Sequence, residues 1–98
     1  MNNSDKIYVV TTVSRHDPIS TRPWFFFFTF EKAEKVVINN HTDLNEAGYW
    51  PYVVIEELKE FSFTDRKEFW YEFDHVTGKY VEITKPEKFK GIVCWSLG

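Results

Sequence analysis

Two of the three arginines in this 98-residue chain, Arg15 and Arg22, fall in one polar stretch running from Ser14 to Pro23. A guanidinium is a planar fork that matches phosphate oxygens. Trp24 follows at once, and an indole can stack on a nucleobase. Thr11, Thr12 and Ser14 add hydroxyls close by. These residue types suit a phosphorylated ligand carrying an aromatic base. The blander reading is a pair of loop charges balanced by Asp17 or by solvent, since surface charges usually do little.

A second polar cluster runs Asn40-His41-Thr42-Asp43-Leu44-Asn45-Glu46. Asp43, Asn45 and Glu46 can hold a ribose or a base edge, as carboxylates do in dinucleotide sites. Trp50, just beyond, offers another ring for stacking. His41, Asp43 and Glu46 also carry metal-ligating atoms, but their spacing matches no established ligand motif. Asp and Asn in such turns more often bond their own backbone, so no metal is expected.

Other chemistries find little support. Glu56 and Glu57 are adjacent on an expected strand, point to opposite faces, and cannot form a glycosidase-type carboxylate pair. A solvated or ion-paired strand end is the simpler reading for both. Cys94 is the lone cysteine, which excludes an intramolecular disulfide and a cysteine-rich zinc site. With no neighbour to lower its pKa, it reads as a buried thiol. His16, His41 and His75 sit in expected loops and form no recognisable triad. A hydrolase elbow, a Walker loop and a glycine-rich dinucleotide loop are missing. The expectation is a non-enzymatic protein without a cofactor.

The elements that must position these groups follow from composition and periodicity. The chain is 43% hydrophobic and 28% charged, which suits a folded protein. A net charge of −3 disfavours broad nucleic-acid binding or attraction to an anionic membrane. The longest apolar run, Trp24 to Phe28, is too short to span a bilayer. Neither a signal-type apolar segment nor paired cysteines are present, so the expected location is the cytosol. Aromatic residues make up 19% of the chain, more than so small a core can bury. Some rings should therefore line a cleft or a subunit interface, making a homo-oligomer the expectation. Trp70, on the Glu72–Asp74 side of its strand, is the expected interface ring.

Residues 1–5 read as a short disordered lead and 6–98 as a single domain. Lys6–Val13 is β-branched and reads as a central strand. Ser14–Pro23 reads as a loop and Trp24–Phe28 as a second strand, with Trp24, Phe26 and Phe28 on one face and Phe25 and Phe27 on the other. Thr29 is an N-cap for a helix from Phe30 to about Asn39 or Asn40, whose core stripe is Phe30, Ala33, Val36 and Val37. Lys32 stands where a capping box would want Glu or Gln, so that box is absent. After the polar loop His41–Gly48, a strand begins past Pro51. Lys59 to Arg66 reads as a connection, and Lys67–Asp74 as a strand. Gly78 closes a four-residue hairpin loop into Lys79–Ile83. Pro86–Phe89 suits one helical turn, and Gly91–Leu97 a last strand. The expected fold is α+β, a single helix packed on a mostly antiparallel, twisted sheet of about five to six strands.

Several stretches carry a resemblance. They are Trp24-Phe25-Phe26-Phe27-Phe28-Thr29-Phe30-Glu31-Lys32-Ala33-Glu34, Asn39 through Glu46, Tyr52-Val53-Val54-Ile55-Glu56-Glu57, Phe69-Trp70-Tyr71 and the closing Gly91 through Gly98. They resemble a family of short, uncharacterised phage- and prophage-associated bacterial proteins. By class, the chain is similar to small phage anti-defence proteins. That resemblance implies a sponge that sequesters a nucleotide-derived immune signal or, alternatively, a protein–protein inhibitor of a host defence factor that uses exposed aromatics. It assigns no residue. The residue types place a nucleotide-type ligand at Arg15, Arg22, Trp24, Asp43, Asn45, Glu46 and Trp50.

Overall fold

The computed structural model describes residues 6–14, 19–59 and 62–89, with 62–66 as backbone alone. Arg15, Cys94 and the expected strand 91–97 lie outside the described residues. The elements are β1 (Lys6–Val13), β2 (Thr21–Phe27), α1 (Phe30–Ile38), β3 (Tyr52–Lys59), β4 (Ser62–Asp74), β5 (Lys79–Ile83) and a 3₁₀ turn at Glu87–Phe89. The fold is α+β: one helix on a five-stranded antiparallel sheet of order β2-β1-β3-β4-β5.

α1 starts where the local chemistry directs. Thr29 is extended (φ −132°, ψ 145°), and its hydroxyl accepts from the Lys32 N–H at 3.4 Å. Glu31 lies in the first turn and Lys35 in the last, as the helix dipole favours. At the exit, the Asn39 side chain donates to the Lys35 carbonyl, and Asn40 turns left-handed. Ala33 and Val37 are fully buried; Phe30 and Val36 are half-buried.

Two strands begin earlier than expected. β2 starts at Thr21 because Arg22 and Thr21 continue its ladder, opposite Thr12 and Val13. Pro23 is tolerated because β2 is, among the described residues, an edge strand interrupted there by a bulge. β4 takes in most of the stretch read as a connection and pairs back to β3 as far as Ser62 opposite Lys59. Its polar start reads as loop, yet Lys67 lies opposite Glu57, a charge match across the ladder.

The sheet packs on both faces. On the helix side Val10, Val53, Ile55, Tyr71 and Tyr80 bury with Ala33, Val37 and Leu44. The other face centres on Val13, Tyr52, Val54, Trp70 and Phe89. Trp70 therefore does not stand exposed. It is 2% accessible, because the 3₁₀ turn lays Phe89 over it with ring centroids 5.1 Å apart and planes 16° from parallel. Its indole N–H donates to Glu68 at 3.0 Å, and Lys85 pairs with the same carboxylate oxygen at 3.0 Å. Glu56 and Glu57 do point to opposite faces, but both are buried rather than solvated. Glu57 accepts from the Tyr8 hydroxyl at 3.1 Å and lies 3.8 Å from the Lys6 ammonium.

Candidate functional site

The bulge in β2 builds the site. Val10 faces Phe25 and Thr11 faces Pro23, so Trp24 is the extra residue. An extra residue breaks the strict two-residue alternation. Trp24, Phe25 and Phe27 consequently all pack on the helix-side core, while Phe26 stands out at 63% exposure. The expected sharing of one face by Trp24 and Phe26 is thereby corrected. Thr12 fixes the bulged residue: its hydroxyl accepts from the Trp24 indole N–H at 2.9 Å and donates to the Arg22 carbonyl at 3.2 Å.

With the indole pinned, the central carbon of the Arg22 guanidinium sits over the Trp24 ring, 4.2 Å from its centre. Among the described residues its ion-pair partner is Glu46, 3.7 Å away. That is longer than the 2.7–2.9 Å typical of a charge-assisted hydrogen bond. The guanidinium makes no hydrogen bond among the described residues, and the side chain is 55% exposed. Its fork of donors is therefore unspent.

Glu46 arrives from the loop between α1 and β3. That loop runs through left-handed backbone at Asn40, Thr42, Asp43, Glu46 and Ala47 (φ 48°, 53°, 55°, 49° and 56°), then Gly48 at 102°. Non-glycine residues adopt this region only when their surroundings over-determine it. Here the surroundings do. The loop closes with backbone bonds from Asp43 to Asn40, Glu46 to Asp43 and Trp50 to Asn45, each 3.0 Å. Leu44 plugs the core beneath. The Asn45 side chain donates to the Trp50 carbonyl at 2.9 Å, the Tyr80 hydroxyl donates to that carbonyl at 2.6 Å, and the Trp50 indole N–H donates to Glu46 at 2.5 Å. Burial, outweighing the Asn45 hydrogen bond that lowers it, holds the Tyr80 hydroxyl well above the ordinary phenol range, with the charge of Asp43 adding to the rise.

The structure thus brings Arg22, Trp24, Asn45, Glu46 and Trp50 into one contact chain from two separate segments. Asp43 lies on the same loop, exposed, with its carboxylate accepting from Asn40 at 3.3 Å. Trp50 and Asn45 have a different job from the one expected of them. They are 6% and 4% exposed and hold the loop together, so Trp50 presents no open ring face to a base. Sequence reasoning missed Tyr80, which clamps the loop from β5, because nothing near residue 80 in sequence marks residue 50 as its partner. Among the described residues, no three His, Cys, Asp or Glu side chains gather as a metal site. Beside the corner, Ile7, Val9, Pro23, Trp24, Phe25 and Phe26 line an open apolar groove of about 210 Å³. That falls short of the roughly 300 Å³ at which small-molecule pockets begin.

Among the described residues, no helix is long and apolar enough to cross a membrane. No known protein family, curated protein or solved structure matches the chain.

Proposed function

We propose that this protein is a non-enzymatic binding protein that captures a small phosphorylated, nucleotide-type ligand at the Arg22–Trp24–Glu46 corner. One observation carries the reading. The Arg22 guanidinium is held over Trp24, half-exposed and, among the described residues, without a hydrogen bond, its counter-ion Glu46 standing off at 3.7 Å. The contact with Trp24 holds the guanidinium in place before any anion arrives, so less side-chain freedom is lost on binding. A phosphate replaces Glu46 as the partner of Arg22. Glu46 stays anchored through the Trp50 indole, and its outer oxygen accepts from a ribose hydroxyl. The exposed outer face of the guanidinium provides a platform for a base, in place of Trp50. The resemblance to short phage proteins supplies the context, a nucleotide-derived immune signal sequestered in a bacterial cytosol.

The test is a thermal-shift and calorimetric screen against cyclic dinucleotides and ADP-ribose derivatives. Arg22→Ala should weaken binding roughly ten- to a hundredfold, as loss of one charge-assisted contact does. Its melting point should stay near the parent's, since an exposed charge contributes little to folding. Equal affinity in parent and variant overturns the site. A chemically altered ligand recovered from the complex would mean an enzyme. A second reading, inhibition of a host protein through exposed aromatics, draws on Phe26 and Phe28. It moves ahead if no nucleotide shifts the melting point.

A further inference from the structure

The two edges of the sheet are unlike. β5 alternates its residues as Lys79, Tyr80, Val81, Glu82 and Ile83, and both charges are exposed. Charge on an edge discourages pairing with another chain. β2 carries no charge after Arg22, and its Phe26 is 63% exposed, as is Phe28 just beyond the strand. Their rings meet edge-to-face with centroids 6.0 Å apart. No strand pairs with the outer side of β2 among the described residues. Large exposed rings on an edge that no described strand covers are what soluble proteins ordinarily avoid.

We propose that β2 pairs antiparallel with β2 of a second copy of this chain, joining two sheets across a two-fold axis. Self-complementarity favours a second copy as the occupant. A two-fold contact sets each protruding feature against the partner's copy of the same patch. Here the patch contains both a knob and a hole: Phe26 and Phe28 protrude, and Phe26 forms one wall of the groove that Ile7, Val9 and Pro23 also line. Its volume of about 210 Å³ exceeds the roughly 150 Å³ of a cavity known to hold benzene, so a phenyl ring fits. Antiparallel pairing sets the Phe-rich end of each β2 against the Arg22 end of the other. The two Arg22 charges stay apart, and no acidic side chain of β2 is buried.

The area is small but workable. A phenylalanine offers about 200 Å², so four rings at 63% exposure supply about 500 Å². The groove walls and strand edges of both copies must supply the remainder of the roughly 1,200 Å² at which stable interfaces begin. Pro23 lacks an N–H and adds no ladder bond at its end, which keeps the contact weak. Arg22 sits at the seam, so the second copy deepens the ligand corner that one copy leaves shallow. The pairing itself rests on β2 alone and does not need the ligand reading to hold.

Sedimentation velocity on the full chain across the micromolar range tests this. A monomer–dimer equilibrium is expected. Phe26→Lys and Phe28→Lys should each raise the dimer dissociation constant at least tenfold with little change in melting point, because both rings are exposed. Val81→Lys, on the opposite edge, should leave the equilibrium unchanged. A monomer at every concentration overturns the proposal and leaves the edge to another occupant, a foreign protein or this chain's own residues 90–98. A dimer that persists in both Phe variants, or dissociates in Val81→Lys, overturns it as well.

Discussion

Replacing Phe89 by Ala removes the cover from the second face of the sheet. Phe89 is fully buried, stacked on Trp70 at 5.1 Å and edge-on to Tyr52 at 5.3 Å. Truncating a buried Phe costs about 3–5 kcal/mol. Two ring contacts, each adding about 0.5–1.5 kcal/mol beyond burial, place this site in the upper part of that range. A chain of this size has a total stability of roughly 5–15 kcal/mol, so the variant should sit near the edge of folding. At about 4–8 °C per kcal/mol, the melting point should fall by at least ~15 °C. Circular dichroism reads the melt. Tryptophan emission reads the new exposure of Trp70, with Trp70→Phe as the background in which that spectral change should vanish. A fall of less than ~5 °C, with emission unmoved, would refute the packing of this face around Phe89.

Phe30→Ala should cost roughly half as much, since Phe30 is only half-buried against Phe69 at 4.6 Å and Tyr8 at 6.0 Å; a melt that drops as far as the Phe89 variant's would contradict this ordering. Thr29→Ala removes the helix cap and should cost about 1 kcal/mol, read by urea denaturation, with no effect expected on ligand binding. Tyr71 and Tyr80 should ionise late. Burial is the main cause for both, and for Tyr71 the Glu34 carboxylate that accepts its hydroxyl at 2.8 Å adds to it. Above the ordinary phenol value of about 10, the folded state holds protons that the unfolded chain has released, so stability falls as pH rises. Absorbance at alkaline pH should therefore show these phenols ionising together with the loss of near-ultraviolet dichroism. Ionisation at the free-tyrosine value in an intact fold would contradict that assignment.

Local signals explain which elements can be read from the sequence. The β-branched run of Lys6–Val13, the cap at Thr29 and the left-handed Gly78 (φ 73°) each mark a boundary from a few neighbouring residues. The starts of β2 and β4 depend on partners instead. Thr21 and Arg22 are extended because Val13 and Thr12 lie opposite them, and the polar start of β4 is stabilised across the ladder from β3. The candidate corner was legible as residue types, with Arg22, Trp24 and Glu46 all present. Their meeting was not, because it depends on a run of left-handed loop residues and on a hydroxyl from Tyr80. The burial of Trp70 is not legible for the same reason: its cover, Phe89, comes from a turn that its own strand does not foreshadow.

The strand order also bears on how the chain is made. β1 comes first among the strands yet lies inside the sheet, with β2 on one side and β3 on the other. Its second neighbour arrives late, since Val13 pairs with Tyr52 and Lys6 with Lys59. At a synthesis rate of about 5–20 residues per second, β1, β2 and α1 wait some seconds for β3. β3, β4 and β5, by contrast, form a meander of neighbouring hairpins that can close as it emerges. The phenylalanine run of β2 is thus the part that has to be kept from sticking while it waits, and the second half of the chain supplies the template on which it settles.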